Sequence, residues 1–169
     1  MTTPTFVTCD LLDDHPDLDI QVLYPSIDGK FFKSYGDVKS FGGEAVTVKC
    51  FEDNSRVKEL LATDGQGKVL VVDGGSSMRC ALMGDMIAES AVKYGWSGVI
   101  INGCVRDVDA IASLNLGVHA LAAIPQKSNR KGVGETNITI QIGNITIQPG
   151  DYIYADNNGM IVSKTKLVD

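Results

Sequence analysis

The middle of the chain alternates continuous apolar runs with stretches whose apolar residues recur at helical spacing. The run "KVLVVDGG" ends in Asp-Gly-Gly, which is typical of a strand buried on both faces and closed by a turn. "GVIING" and "VHALAAIP" have the same character, and between these three strands lie a helix over about residues 85–94 and a short helix in "DVDAIASLN". Strands that alternate with helices across residues 68–125 predict a parallel-sheet core.

The segments on either side of this core predict further elements. Residues 8–19 have the pattern of a short acidic amphipathic helix, residues 45–51 alternate like a strand, and the next helix begins at a cap formed by Asn54 or Ser55. Nearer the C-terminus, Ile-Thr-Ile-Gln stands on both sides of a Gly-Asn turn, which predicts a β-hairpin. "DYIYADNNGMIVS" adds two short strands around an Asn-Asn-Gly turn. The sequence therefore predicts an α/β fold with a parallel-sheet core and a β-rich C-terminal part.

Length and charge narrow the class of protein. A chain of 169 residues fits a single domain over residues 1–169. The formal charge of -6 and the pI of about 4.8 work against direct binding to a nucleic acid backbone. The N-terminal residues have neither a basic nor an apolar signal region, and no apolar stretch approaches the roughly 20 residues of a membrane span. We therefore expect a cytoplasmic protein with no membrane partner.

The cysteines and histidines do not form a recognisable metal or redox motif. Cys9, Cys50, Cys80 and Cys104 are widely separated, and the chain has only two histidines. The cysteines are expected to be reduced thiols that are mostly buried. His119 lies in an apolar strand, which predicts a core histidine whose polar atoms are satisfied.

The candidate chemistry lies in the loops that follow two of the predicted strands. Ligands of open α/β sheets bind outside the carboxyl ends of the strands, so the loops "DGGSSMRCALMGD" and "GCVRD" are the ones to examine. They carry Asp85, Arg106 and Asp107, with glycines that let backbone amides approach a ligand. Each residue also has a structural explanation: either acid can cap the helix that follows it, and the arginine can lie on the surface with its stem packed.

Other chemistries find less support in the sequence. The glycines lack the continuation of a P-loop and the spacing of a dinucleotide fingerprint, and Gly74-Gly75 can be a simple tight turn. No G-x-S-x-G elbow is present, and neither Lys49 nor Lys68 stands out as a Schiff-base lysine.

Four segments carry a resemblance to a known family: "SFGGEAVTVKCFEDN", "GKVLVVDGGSSMRCALMGDMIAESAV", "GVIINGCVRDVD" and "YADNNGMIVS". They resemble the regulator of ribonuclease E activity A (RraA-like) family, which includes the class II 4-hydroxy-4-methyl-2-oxoglutarate aldolases. The similarity runs from about residue 8 to residue 163. It implies a layered β/β/α swivelling fold, similar to the phosphohistidine domain, and a homotrimer with sites between neighbouring subunits.

The aldolase branch of that family has an Asp followed after twenty residues by Arg-Asp, and Asp85, Arg106 and Asp107 match it. The resemblance implies that Asp107 ligates a divalent cation, Mg²⁺ or Mn²⁺, that Arg106 binds the keto acid, and that Asp85 positions metal-bound water. The backbone of Gly84, Asp85, Met86 and Ile87 would hold the substrate carboxylate. The implied activities are aldol cleavage to pyruvate and decarboxylation of oxaloacetate, both through a metal-stabilised pyruvate enolate.

A second branch of the family leads to a different function. In the ribonuclease regulators the two acids are commonly replaced, while "CFEDN" and "VLVVDGG" are closer to that branch. The alternative is therefore a protein that inhibits ribonuclease E by masking it, with an acidic surface docked on basic segments of the nuclease. The Asp-Arg-Asp motif favours the enzyme. In the trimer an acid from another chain would complete the site, and Glu44 and Asp156 are candidates for it.

Overall fold

The computed structural model describes residues 5–25 and 31–169. The helices are α1 (Thr8–Asp13), α2 (Ser55–Leu61), α3 (Asp85–Lys93) and α4 (Val108–Ile111). The strands are β1 (Gln21–Val22), β2 (Lys33–Ser34), β3 (Phe41–Lys49), β4 (Val69–Asp73), β5 (Ala81–Met83), β6 (Gly98–Val105), β7 (Gly117–Ala123), β8 (Glu135–Thr136), β9 (Ile140–Ile142), β10 (Ile145–Ile147), β11 (Tyr152–Asp156) and β12 (Gly159–Ser163).

A mixed sheet organises the described part of the chain. Its main path runs β1-β12-β11-β3-β4-β6-β7-β2, with β5 beside β6 and β8 beside β3. Strands β3, β4, β6 and β7 are parallel to one another, which confirms the predicted parallel core. Strand β11 pairs antiparallel with both β3 and β12, so the C-terminal strands extend the same sheet. The hairpin β9-β10 forms a separate two-stranded sheet.

The two faces of the parallel core are covered by different structures. Leu70 and Val72 of β4 pack in one apolar cluster with residues of α2, α3 and α4. Val69 and Val71 point to the other face, where they pack with the isoleucines of the β9-β10 hairpin. All four side chains are fully buried. A continuous apolar run in β4 is therefore required, because neither face of this strand meets solvent.

Several sequence predictions are confirmed, including α3, which ends before Gly95 at a φ of 80°, and the hairpin around the Gly-Asn turn. Two predicted element boundaries and one predicted helix cap were wrong. Helix α1 stops at Asp13 rather than residue 19, because Pro16 cannot donate a backbone hydrogen bond and disfavours helical backbone before it. Strand β3 begins at Phe41, four residues early, because its first half pairs with β11.

The third correction concerns the start of α2. Asn54 occupies the N-cap position but makes no capping hydrogen bond. The preceding residue, Asp53, accepts hydrogen bonds from the backbone amide and the hydroxyl of Ser55 at 2.9 and 2.6 Å. The side-chain amide of Asn54 is thereby free to donate to Leu82 O at 3.1 Å.

No helix within residues 5–25 and 31–169 is long and apolar enough to cross a membrane. The mixed α/β architecture agrees with the predicted fold class. The specific likeness to a swivelling phosphohistidine domain, and the extent of the domain over residues 1–169, stay predictions.

Candidate active site

The unit from α3 to the end of β6 returns the chain to its starting point. Strand β5 lies parallel to β6, with Met83 paired to Val105. The backbone amide of Arg106 then donates to Met83 O at 3.0 Å. Residues 83–85 and 105–107 are therefore neighbours at one edge of the sheet, although about twenty residues of chain separate them. The Gly-Asp pair and the Arg-Asp pair are therefore brought together.

Gly84 is packed directly against both polar residues of the second pair. A Cβ atom built on Gly84 would lie 2.6 Å from Asp107 Oδ2 and 3.3 Å from Arg106 Cγ. These distances leave no room for a side chain unless one of the two residues moves. Glycine at this position thus allows the carboxylate of Asp107 to lie over the start of α3.

Asp107 has an unusual backbone conformation for a residue with a side chain. Its φ and ψ of 55° and 42° lie in the left-handed region, and it makes no capping hydrogen bond to α4. Its Oδ2 atom instead accepts a hydrogen bond from the backbone amide of Asp85 at 3.2 Å. The carboxylate therefore lies at the positive end of α3 rather than capping the helix that follows it.

The acid and amides at the start of α3 are partly engaged with one another. The first residue of the helix, Asp85, accepts a hydrogen bond from the Met86 backbone amide at 2.8 Å through its own Oδ1. Two of the amides predicted to hold a substrate carboxylate thus already bond to acids of the chain. A ligand carboxylate in the predicted position would replace these contacts. Met86 is 79% exposed, whereas Ile87 is buried against the helix-side core.

Arg106 places a positive charge beside Asp107. Its Nε atom lies 3.9 Å from Asp107 Oδ2, and its Nη1 atom reaches Pro125 O at 3.5 Å. Its side chain is 38% exposed. Both contacts are long for charged hydrogen bonds, so most of the guanidinium's donors remain open to a ligand.

Asp85, Arg106 and Asp107 line an open pocket of about 450 Å³. Its lining also contains residues that the sequence reasoning missed, namely Asn54, Lys127, Ser128, Asn129 and Arg130. These last four residues follow β7, the neighbour of β6 in the sheet. The rule that directed attention to the loops after β4 and β6 also applies to β7, and its loop contains a cluster of basic residues that could have been found.

Hydrogen bonds to the segment before α2 hold this basic loop. The buried carboxylate of Asp53 accepts from the backbone amides of Lys131 and Val133 at 2.8 and 3.3 Å. Arg130 Nε donates to Asn54 Oδ1 at 3.2 Å. Burial raises the pKa of Asp53, but hydrogen bonds from Ser55 and from the loop outweigh it and lower the pKa to about 2. An ionised acid therefore holds the basic loop that contributes Lys127 and Arg130 to the pocket.

The donor set limits the kind of cation that fits. Across residues 5–25 and 31–169, no three side chains of His, Cys, Asp or Glu come together as a cluster suited to a metal ion. Asp107 has a 43% exposed side chain, and only its Oδ2 atom takes part in the contacts described above. A cation at this site would keep most of its water shell. Mg²⁺ binds proteins in this way, through one or two carboxylates and several waters.

The remaining candidates lie elsewhere in the chain. Asp156 is buried and accepts hydrogen bonds from Thr8 N and Oγ1 at 2.7 Å, and Glu44 is exposed near the amino ends of the parallel strands. Their contribution from a neighbouring chain stays a prediction. The cysteines are free thiols, three of them buried, as expected. His119 is buried, but its Nε2 atom has no hydrogen-bond partner among the described residues, so the prediction that its polar atoms are satisfied was wrong.

Comparison with known proteins gives the family. The family model described as RraA-like, Aldolase/RraA, matches residues 8–162. The chain belongs to the RraA-like family. A relative from Acinetobacter baylyi is 76% identical over 99% of both chains, and its name is "Putative 4-hydroxy-4-methyl-2-oxoglutarate aldolase". A Pseudomonas putida protein with the same name is 55% identical over 96% of each chain.

Solved structures with a similar fold carry other names. A Geobacillus kaustophilus protein described as an S-adenosylmethionine:2-dimethylmenaquinone methyltransferase is 41% identical, with a TM-score of 0.90 over 96% of this chain and 97% of that one. The RNA-processing inhibitor RraA from Thermus thermophilis is 35% identical, with a TM-score of 0.85 over 95% and 94%. Because names differ within one fold, the function has to be argued from the site.

Proposed function

We propose that the protein is a divalent-metal-dependent carbon-carbon lyase that cleaves 4-hydroxy-4-methyl-2-oxoglutarate and similar substrates to pyruvate, and that also decarboxylates oxaloacetate. The observation that carries this proposal is the meeting of Asp85, Arg106 and Asp107 in one open pocket. The aldolase names of the relatives with 76% and 55% identity support it.

The charges of the pocket suit a substrate with two carboxylates. Its lining contains three cationic side chains, Arg106, Lys127 and Arg130, against the acids Asp85 and Asp107. Arg106 and Arg130 both line the pocket, so one arginine is available for each carboxylate of a short 2-oxo diacid. An arginine binds a carboxylate through two parallel N–H donors, which fixes orientation as well as charge.

The two reactions share one demand, which is to stabilise the enolate of pyruvate. In aldol cleavage the C4 hydroxyl loses its proton, the C3–C4 bond breaks, and its electron pair moves to the C2 ketone oxygen. In decarboxylation the pair comes from the bond to the departing carbon dioxide, and in both cases protonation at C3 gives pyruvate. Arg106 would stabilise the negative oxygen, and Asp85 would accept the C4 hydroxyl proton through a water molecule.

Asp107 is the residue that would hold the cation, Mg²⁺ or Mn²⁺. When bound there, the ion would draw electron density from the ketone and carboxylate oxygens of the keto acid. A substrate that also contacted the start of α3 would displace the contact between Asp107 Oδ2 and the Asp85 amide, or share it.

The decisive experiment measures pyruvate release from both substrates with Mg²⁺ or Mn²⁺ and with a chelator. Asp107→Asn should abolish turnover, whereas its matched control Asp109→Asn, an exposed acid two residues away in α4, should retain it. Arg106→Lys keeps the positive charge but loses the two parallel N–H donors of the guanidinium. We therefore expect kcat/KM to fall about tenfold or more. Metal-independent turnover, or full activity in Asp107→Asn, would contradict the proposal.

A second function is favoured by the likeness to the RNA-processing inhibitor RraA, at a TM-score of 0.85. The chain would bind ribonuclease E and slow RNA cleavage without touching RNA itself. The net charge of -6 suits basic segments of a nuclease. Co-purification and RNA-cleavage assays at modest ionic strength test this function, and an unchanged cleavage rate at saturating protein would reject it.

We also infer that the protein works as a homotrimer whose sites lie between neighbouring chains. Light scattering after size exclusion gives the mass directly. Two inactive variants mixed in one oligomer would test whether the site is shared. One variant is Asp107→Asn, and the other lacks the acid that a chain would contribute to its neighbour's site. With Glu44→Gln as the second chain, recovered activity in the mixture is expected only when that acid serves its neighbour.

A further inference from the structure

A second cavity lies on the opposite face of the sheet from the helices. Its volume is about 530 Å³, and its lining includes residues of β2, β6 and β7 on one side and of the C-terminal strands and the β9-β10 hairpin on the other. Ser76, from the Gly-Gly-Ser-Ser loop that the proposed reaction leaves unused, also lines it. This volume is within the range typical of small-molecule sites.

Two buried polar atoms in the wall of this cavity lack a partner among the described residues. They are His119 Nε2 and Ser34 Oγ. Ser34 and His119 are directly opposite each other in the antiparallel β2-β7 pair, so their side chains project from the same face. An unpaired buried polar group is costly, and natural structures rarely keep two together unless something else satisfies them.

We propose that this cavity binds a small, uncharged, largely apolar molecule whose hydroxyl or carbonyl group hydrogen-bonds to His119 Nε2 and Ser34 Oγ. The apolar part of the ligand would contact Leu23, Phe32 and Leu121, which line the same space. A neutral imidazole and a hydroxyl can each donate or accept a hydrogen bond, so the site can bind the oxygen of a hydroxyl group or of a carbonyl group.

The charges of the described lining residues disfavour an anionic ligand. Burial lowers the pKa of His119 to about 4, so the ring is neutral at physiological pH. Asp156 lines the same cavity as an ionised acid, held by hydrogen bonds from Thr8 and Asn158. None of the described lining residues is a lysine or arginine. An anion would therefore meet the negative charge of Asp156, with no cation among the lining residues that the structure describes.

The polar side of the cavity is also preorganised. Ser76 has a positive φ of 59°, and its hydroxyl donates to Asn102 Oδ1 at 3.1 Å. The Ser76 amide donates to Asn102 O at 3.1 Å as well. These bonds fix the start of the loop that connects β4 and β5. The site proposed here does not depend on keto-acid chemistry and is tested separately from it.

The test uses 2-naphthol as a probe and the chain's two histidines as reporters. In ¹⁵N-histidine protein, titration should give a saturable shift of His119 Nε2 and leave His15 unchanged. Naphthalene-2-sulfonate, the anionic counterpart, should bind at least about tenfold more weakly. His119→Phe and Ser34→Ala should each weaken 2-naphthol binding about fivefold, the value of one hydrogen bond.

Thermal unfolding of the same variants completes the test. Removal of a partnerless polar atom should leave the Tm equal to or above that of the wild type. The proposal is overturned if 2-naphthol gives no saturable shift of His119, or if it binds both variants as tightly as the wild type. A clear drop in Tm for both variants also overturns it, because the two atoms would then already have partners.

Discussion

The hydrogen bonds of Asp53 make a quantitative prediction about the basic loop. Asp53→Asn keeps an oxygen for Ser55 but turns an amide donor toward the backbone amides of Lys131 and Val133. Both amides belong to exposed residues, so water can replace the lost acceptor in part, and we expect each lost hydrogen bond to the charged carboxylate to cost about 1–2 kcal/mol. We therefore expect the free energy of unfolding to fall by about 2–4 kcal/mol, and the Tm by about 5–15 °C.

The pH dependence of the free energy of unfolding separates the effect of the Asp53 charge from the effect of its hydrogen-bond geometry. Because the pKa is lowered to about 2 in the folded state, ionisation stabilises the fold above the unfolded-state pKa near 4. This contribution is lost as the pH falls through 2. It amounts to about 2 kcal/mol at pH 7 and about half of that at pH 3. The stability difference between wild type and Asp53→Asn should shrink accordingly.

Urea unfolding at pH 7 and pH 3, followed by the fluorescence of Trp96, measures both quantities. Lys131→Gln is the matched control, since only its backbone bonds to Asp53. The reasoning would be refuted if the free energies of unfolding of wild type and Asp53→Asn differed by less than about 0.5 kcal/mol at pH 7. It would also be refuted if this difference were the same at both pH values. Asp53→Asn should also raise the KM for a diacid substrate through displacement of Arg130.

Three further predictions concern packing and the site. Gly117→Ala should cost about 1–3 kcal/mol, because its Cβ would lie 2.1 Å from the ring of Phe41, and a double-mutant cycle with Phe41→Leu should recover part of this cost. Thr8→Val should lower the free energy of unfolding by about 1–2 kcal/mol in chemical denaturation, since its hydroxyl bonds to a buried carboxylate at 2.7 Å. Gly84→Ala should reduce pyruvate release at least tenfold with a Tm change of only a few degrees, because the new methyl group displaces Asp107; equal activity would contradict the close contact.

The sequence predicted elements where local pattern and final environment agree. The Val-Leu-Val-Val run of β4 is buried on both faces, and the Gly-Asn turn closes the β9-β10 hairpin, as their composition indicates. The convergence of Asp85 with Asp107 also followed from local reasoning, because one helix and one strand connect them. Pro16 is visible in the sequence, so the end of α1 before it could have been predicted.

Other features depend on contacts that no local pattern contains. Arg130 enters the site because Asp53 binds the next residues, 78 positions away along the chain. The close approach of the Asp107 carboxylate to Gly84 becomes visible only once β5 and β6 are paired, and local sequence does not predict the left-handed backbone of Asp107. Likewise, Asn54 has the residue type of a helix cap, but tertiary bonds to Leu82 and Arg130 compete for its side chain.

The backbone bond between the Arg106 amide and Met83 O has a kinetic consequence. It closes the unit that brings the acids together, so the exchange of this single amide hydrogen with solvent reports how often the pocket opens. A ligand that binds only the closed form would slow that exchange by a factor of 1 + [L]/Kd, where [L] is the free ligand concentration. Amide exchange at Arg106 would therefore rank keto acids by affinity even in a variant that cannot turn them over.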